Sequence, residues 1–334
     1  MQKKKRCSNC VLPETFPGIK FNEKGICNFC QSFKGSANLE DKKTRFRKKF
    51  EELVKQYKGK STYDALMSYS GGKDSTYTLA LLKENYGLNI LAVTMDNGFL
   101  PDQTIKNIQS ISERLNIDQI LFKPRFETLK KIFATCSKEN IYPPTTLTRA
   151  STICTSCMAV VKFSSLRMAL EKDIPFIVFG WSPGQIPIAS SIMKNNPQIL
   201  KMMQQSLYEP LHKLAGDAIH PYFLEEKHFE GSYFFPYNIS PLAFFDYNEE
   251  EIYKKIDKLG WKLPDKIDAN TSNCLLNSFA NVTHRNKHGF HPYAFEMAKL
   301  VREGYMKRST ALGKLEQDED SSTIELIKEK LELL

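Results

Sequence analysis

The sequence has no run of about 18 or more apolar residues, the length that a membrane-spanning helix requires. Its first residues, Met-Gln-Lys-Lys-Lys-Arg, are followed by no apolar stretch, so the pattern of a secretory signal is also absent. We therefore expect a cytoplasmic protein without a membrane insertion. At 334 residues the chain is long enough for about two domains with a sizeable core. Its net charge of +9 favours anionic partners such as nucleotides, nucleic acids, phosphosugars or a membrane surface.

Eight cysteines in a chain without a secretory signal favour metal binding or catalysis over disulfides. Four of them form two C-x2-C pairs near the beginning of the chain, namely Cys7, Cys10, Cys27 and Cys30. Four thiolates in this spacing suit the tetrahedral preference of Zn²⁺, and a bound metal explains how a segment rich in proline and glycine folds. We predict a structural zinc site; an iron–sulfur cluster or buried thiols without a metal are the alternatives.

The middle of the chain alternates short apolar runs with helical patterns. Strands are expected near 65–67, 90–95, 118–122 and 174–180, with helices near 78–84, 126–138 and 158–171. This alternation predicts an α/β fold with a doubly wound parallel sheet. We expect a zinc-binding module at 1–35, a basic linker helix at 36–62, a nucleotide-binding domain at 63–240 with an insertion at 182–240, and a helical region at 241–334.

The run Ser70-Gly71-Gly72-Lys73-Asp74-Ser75 lies between the first strand and the following helix. Two glycines allow a tight turn whose N–H groups face an anion, and the helix N-terminus adds its positive dipole end. Lys73 offers a charge for phosphate oxygens and Asp74 a ligand for Mg²⁺. A Walker A loop is excluded, because G-x-x-x-x-G-K is absent. A Gly-rich turn with a capping serine is the alternative interpretation.

This SGGKDS run resembles the signature of the PP-loop ATP pyrophosphatases. The resemblance implies an adenine nucleotide alpha hydrolase-like, Rossmann-like domain that binds ATP, transfers AMP to an acceptor oxygen and releases pyrophosphate. It implies that Ser70–Ser75, Asp96 and Gly180 bind the nucleotide and that Lys73 and Asp74 take part in catalysis. A surface loop is the alternative interpretation for the Asp96 segment.

A third C-x2-C pair, Cys154 and Cys157, precedes the helix expected at 158–171, and Cys274 stands alone further on. We expect the helix N-terminus to lower the thiol pKa values. The arrangement is similar to that of PP-loop enzymes that thiolate tRNA, which implies a catalytic [4Fe-4S] cluster held by these three cysteines. A second zinc site, a redox-active pair and structural thiols are the alternatives.

The two ends of the chain resemble the N-acetyl sugar amidotransferases. The resemblance lies in CSNCVLPETFPGIKFNEKGICNFC, from residue 7, and in HRNKHGFHPYAFEMAKLVREGYMKRSTAL, from residue 284. It implies amidation of a nucleotide-sugar or sugar-acid acceptor in surface-polysaccharide synthesis, with ammonia from a separate glutaminase, and we also expect a homodimer. The segment 180–187 departs from that family's pattern and is expected to face the acceptor. The alternative is a sulfurtransferase acting on tRNA or a small heterocycle.

One basic stretch of the second segment allows two interpretations. It carries His284, Arg285, His288 and His291 within eight residues. Such a cluster suits recognition of an acceptor phosphate, and equally a solvated polar loop before a helix.

Overall fold

A six-stranded sheet forms the centre of the computed structural model, which describes residues 5–35 and 37–334. The strands are β1 (Ala65–Ser68), β2 (Ile90–Met95), β3 (Asp118–Phe122), β4 (Phe176–Phe179), β5 (Ile192–Lys194) and β6 (Tyr237–Ile239). Their order across the sheet is β3-β2-β1-β4-β6-β5. Every neighbouring pair is parallel except β5 and β6, which are antiparallel. The prediction of an α/β fold built on a parallel sheet is confirmed.

Thirteen α-helices lie in the described part of the chain. They are α1 (Asn28–Gln31), α2 (Ala37–Tyr57), α3 (Lys73–Tyr86), α4 (Asp102–Arg114), α5 (Phe126–Lys138), α6 (Thr152–Glu171), α7 (Pro197–Ala215), α8 (Glu226–Glu230), α9 (Glu249–Lys258), α10 (Leu276–His288), α11 (Ala294–Arg302), α12 (Arg308–Glu316) and α13 (Ser321–Lys330). The two faces of the sheet are covered by separate apolar clusters. Ala65 and Met67 belong to one cluster, whereas Leu66 belongs to the other. This alternation is what a doubly wound sheet produces, because successive side chains point to opposite faces.

The strand order reverses between β1 and β4. From β1 the chain passes through β2 to β3 on one side of the sheet, and β4 lies on the other side of β1. In open α/β sheets, ligands bind in the crevice beyond the carboxyl ends of the strands at such a switch point. The loop Ser70–Ser75 follows β1, and Gly180 follows β4. The fold therefore brings both segments to the place where a ligand is expected.

Helix α6 begins earlier than the sequence pattern predicts. It starts at Thr152, because the side chain of Ser151 caps it by accepting the backbone N–H of Cys154 at 3.1 Å. Cys154 and Cys157 therefore lie in the first two turns of the helix and not in a loop before it. Among the described residues, α6 alone is long and apolar enough to cross a membrane, but 56% of the stretch is buried inside the protein, as in a core helix.

The C-terminal part contains a helix where the sequence suggested a solvated polar loop. Helix α10 carries His284 and ends at His288, and both His284 and His291 are buried. Burial lowers the pKa of each of these two histidines to about 3, so both are neutral near pH 7. These two histidines do not support the phosphate-recognition interpretation, which stays a prediction for the cluster as a whole. A neutral buried imidazole offers no charge to an anion.

The segment 182–240 does more than cover the edge of the sheet with helices and loops. It supplies β5 and β6, and β6 pairs in parallel with β4. The domain limits given above stay predictions, and residues 1–4 and 36 of the first two predicted units lie outside the described residues.

Candidate active site

The SGGKDS loop joins β1 to α3, and a remote loop covers it. Helix α3 begins at Lys73, whose backbone N–H donates to the hydroxyl of Ser272 at 2.9 Å. The carbonyl oxygen of Gly71 accepts the indole N–H of Trp261 at 2.9 Å. A Cβ atom on Gly72 would lie 2.8 Å from the Ser272 hydroxyl oxygen, so glycine is what lets this loop come so close.

Gly180 is the other point of close backbone approach. A Cβ atom on Gly180 would lie 2.5 Å from the Cα atom of Ser75 and 2.7 Å from its nitrogen. Since backbone atoms cannot move aside as a flexible side chain can, only glycine fits here. The end of β4 therefore lies directly against the first turn of α3.

The ammonium group of Lys73 is already paired with acidic and polar groups. Its Nζ lies 2.9 Å from both carboxylate oxygens of Asp74, 3.2 Å from the hydroxyl of Tyr247 and 3.3 Å from a carboxylate oxygen of Glu249. Burial by itself would lower the pKa of Lys73, but Asp74, Tyr247 and Glu249 hold it well above its ordinary value. The lysine is therefore charged, and the two carboxylates beside it are oxygen ligands of the kind Mg²⁺ takes.

Two cysteines from distant parts of the chain contact Asn97, and a third lies one helical turn from the first of them. The amide Nδ2 of Asn97 donates to the sulfur of Cys157 at 3.6 Å and to the sulfur of Cys274 at 3.5 Å. These two contacts limit the separation of the sulfurs to about 7 Å. Cys154, one helical turn before Cys157, contacts the side-chain oxygen of Asn277 at 3.5 Å. All three thiols line the same cavity of about 570 Å³ as Ser70, Gly72 and Lys73–Ser75.

The thiols of Cys154, Cys157 and Cys274, the three-cysteine site, have higher pKa values than ordinary cysteines. Burial raises the pKa of Cys154 to about 12 and also raises the pKa values of Cys157 and Cys274. The expectation that the helix N-terminus would lower these pKa values is wrong, since the loss of hydration outweighs the helix dipole. A bound cation is what would favour their thiolate forms.

Asp96 and Asn97 have different surroundings. The carboxylate of Asp96 accepts the backbone N–H of Gly98 at 2.8 Å and pairs with Lys123 at 3.0 Å. Asn97 lines the cavity instead. A nucleotide-binding role for Asp96 stays a prediction, and the polar residue that contacts the cysteines is its neighbour.

The four N-terminal cysteines have the geometry of a single-ion site. The sulfurs of Cys7 and Cys30 are 3.9 Å apart, those of Cys10 and Cys27 are 3.7 Å apart, and all four lie within 4.8 Å of one another. Four thiolates about 2.3 Å from one Zn²⁺ would be roughly 3.8 Å apart. In the described part of the chain, the sulfurs of Cys154, Cys157 and Cys274 do not all lie within 4.8 Å of one another. Their spacing therefore suits a centre larger than a single ion.

The match to a known family lies in the sheet domain. Residues 64–180 match the family model described as the phosphoadenosine phosphosulfate reductase domain. This region is therefore similar to a PP-loop domain. The match spans β1 to β4 and includes the SGGKDS loop, Cys154, Cys157 and Gly180, whereas Cys274 and Ser272 come from outside it.

Other similar proteins extend over nearly the whole chain. An uncharacterized protein of Methanocaldococcus jannaschii is 25% identical over 315 residues, which is 93% of each chain. Among solved structures, a U34-tRNA thiolase from Methanococcus maripaludis with its [4Fe-4S] cluster has a TM-score of 0.37 at 18% identity, covering 94% of this chain and 91% of that one. NMN synthetase from Francisella tularensis has a TM-score of 0.37 at 13% identity, covering 85% and 94%.

Ser272, which lines the cavity, and Tyr247 and Glu249, which contact Lys73, were not anticipated from the sequence. Ser272 precedes Cys274 in the polar run Thr271-Ser-Asn-Cys, and that run is the one signal that could have indicated it. Tyr247 and Glu249 flank a helix start far from the PP-loop, and no local pattern connects them with Lys73.

Proposed function

We propose that this protein is an ATP-dependent, AMP-forming enzyme that adenylates a carbonyl oxygen of its acceptor and replaces that oxygen by sulfur. The observation that carries the proposal is that the SGGKDS loop and the three cysteines line the same cavity. Activation at the PP-loop and delivery of the incoming atom then occur in one space. A cytoplasmic location agrees with the use of ATP.

The activation step uses the N-terminus of α3. The acceptor carbonyl oxygen attacks the α-phosphorus of ATP, the bond to the bridging oxygen breaks, and pyrophosphate leaves with the electron pair. Backbone N–H groups around Gly72 and Lys73 would bind the phosphates, with the Ser272 hydroxyl giving up the Lys73 N–H that it accepts. Asp74 and Glu249 would hold Mg²⁺, and Lys73 would supply positive charge.

The donor set of the three-cysteine site fits an iron–sulfur centre. Cys154, Cys157 and Cys274 are soft ligands, two of them hold the amide of Asn97 in common, and their spacing exceeds that of the zinc-type set. A [4Fe-4S] cluster held by three cysteines would supply one iron with an open coordination position for inorganic sulfide from a separate donor. When sulfide adds to the activated carbon, the carbon–oxygen bond breaks and AMP leaves with the electron pair, so the step needs no oxidant or reductant. Asn97 would orient Cys157 and Cys274 both with and without the cluster. We propose tRNA or a small heterocycle as the acceptor, in keeping with the basic charge of the chain.

Amidation of an N-acetyl sugar is the second candidate, and one observation favours it. The two end segments that resemble the amidotransferases pack together as one unit. The hydroxyl of Thr15 donates to the carbonyl oxygen of Gly289 at 2.8 Å. The rings of Phe16 and Phe290 pack with their centroids 5.1 Å apart. The guanidinium of Arg308 donates to the carbonyl oxygen of Cys10 at 2.8 Å. In this case the acceptor is a nucleotide sugar or sugar acid, and a partner glutaminase supplies ammonia. A structural zinc at the four N-terminal cysteines and a homodimer are also part of the proposal.

Metal content and product analysis separate the two reactions. We would purify the protein under anaerobic conditions and measure iron, acid-labile sulfide and zinc per chain, with Cys274→Ser as the variant and Cys136→Ser as the matched control. Sulfur transfer predicts iron and sulfide that Cys274→Ser loses and Cys136→Ser keeps, together with AMP and pyrophosphate as products. Zinc without iron, with an amidated product, would favour the second candidate. ADP as the stoichiometric product would remove both.

A further inference from the structure

A side chamber of about 190 Å³ opens from the main cavity. Its walls come from the loop before α6, the segment after β4, helix α10 and the start of α11. The residues that matter here are Arg149, Trp181, Asn277, Asn281, Tyr293 and Glu296. Cys154 lies on the boundary, because it lines both the chamber and the main cavity. A group bound in the chamber would therefore be next to the three-cysteine site.

Asn281 lines this chamber, and its side-chain amide has no hydrogen-bond partner among the described residues. Asn281 is fully buried, and neither its amide oxygen nor its amide nitrogen has a hydrogen-bond partner among the described residues. Asn277, one turn earlier on the same face of α10, is occupied instead with Tyr293 and Cys154. Buried polar groups are nearly always paired, so an amide that lacks both bonds beside a cavity indicates a ligand that supplies them.

Glu296 provides a second polar group in the same chamber. Its carboxylate accepts the hydroxyl of Ser182 at 2.7 Å. A Cβ atom on Gly184 would lie 2.6 Å from the Cγ atom of Glu296, so the glycine lets the segment after β4 close over this side chain. Trp181 and Phe295 add aromatic surface. The chamber is therefore narrow, partly apolar, and provided with hydrogen-bonding groups at fixed positions.

We propose that the side chamber is the acceptor subsite, in which Asn281 binds a neutral amide or lactam group through its adjacent C=O and N–H. One amide donor and one amide acceptor side by side are complementary to that ligand edge and to few others. Glu296 would accept a further N–H or O–H of the same ligand. The inference rests on the proposed function, since the acceptor carbonyl must lie beside the PP-loop, and it names the residues that recognise the acceptor.

Two matched pairs of probes test the subsite. They also distinguish an acetamido group on a sugar from the lactam of a heterocyclic base as the ligand. UDP-N-acetylglucosamine is compared with UDP-glucose, which lacks the acetamido group, and uridine with 3-methyluridine, which lacks the ring N–H. Binding to the full-length protein would be measured by calorimetry. We expect one pair to be discriminated about tenfold or more, and the pair that is discriminated identifies the acceptor.

Asn281→Leu is the decisive variant, because leucine keeps the shape and removes the unpaired amide. We expect it to lose the discrimination while its ATP affinity stays unchanged and its melting temperature does not fall. Asn281→Asp, which keeps an acceptor but loses the donor, should bind the discriminated probe about tenfold more weakly. Equal binding within both pairs by the natural protein, retained discrimination in Asn281→Leu, or a large loss of stability in both variants would overturn the proposal. Discrimination without AMP formation would leave the subsite standing and remove the adenylation chemistry.

Discussion

The hydroxyl of Ser272 accepts the first backbone N–H of helix α3, that of Lys73, at 2.9 Å, although 199 residues separate the two along the chain. This contact places the loop that carries Cys274 directly over the PP-loop. In the proposed function, this N–H is one that would bind a phosphate of ATP. One short polar segment therefore joins the three-cysteine site to the proposed nucleotide site.

Replacing Lys73 by alanine should reduce AMP formation about a hundredfold, because a positioned charge beside the reacting phosphate contributes about 3 kcal/mol. The assay would follow AMP and pyrophosphate release in the presence of an acceptor. Lys83→Ala, in the last turn of the same helix, is the matched control and should keep full activity. Equal rates for the two variants would contradict the assignment of Lys73.

Replacing Cys10 by serine should remove zinc and lower the melting temperature, because a metal supplies folding free energy to so small a module. Phe16 of this module stacks on Phe295 with the ring centroids 5.6 Å apart, and Phe295 lines the side chamber. We therefore also expect weaker acceptor binding. Cys136→Ser is the control, because the Cys136 thiol is hydrogen-bonded to the hydroxyl of Ser156 and is not one of the four clustered cysteines. Full zinc content in Cys10→Ser would refute the four-cysteine site.

Replacing Asn97 by alanine should reduce product formation about 10- to 100-fold in anaerobically prepared protein, the range typical of groups that orient metal ligands. The reason is that its amide contacts the sulfurs of both Cys157 and Cys274. ATP affinity, measured separately, should remain unchanged. A change in the visible absorption spectrum of the bound cluster would distinguish this positioning role from simple loss of the fold.

The stability of the protein should fall as the pH drops below about 6.5. Burial lowers the pKa of His284 to about 3, whereas an unfolded histidine titrates near 6.5. Between these values the unfolded chain binds more protons, so the free energy of unfolding decreases by about 1.4 kcal/mol per pH unit for each such histidine. Urea unfolding at several pH values measures the slope. His284→Phe should reduce it, and an unchanged slope would show that His284 does not carry the effect.

The sequence by itself determined the parts of this protein that depend on local pattern. The strands at 90–95 and 118–122 and the helix at 126–138 lie where periodicity predicts them, and SGGKDS forms the expected turn between a strand and a helix. Helix α6 begins earlier than predicted, because Ser151 caps a first turn that carries no apolar periodicity. Local propensity and spacing are enough for such features, since they involve neighbours in the chain.

Only the tertiary structure decided the chemistry of the cavity. Cys274 contacts Asn97, which also contacts Cys157, and Glu249 contacts Lys73, because the fold brings remote segments to one end of the sheet. Burial then reversed the expected pKa shift of Cys154. Hydration, charge partners and pairing depend on which distant residues surround a group, and no local pattern in the sequence records that neighbourhood.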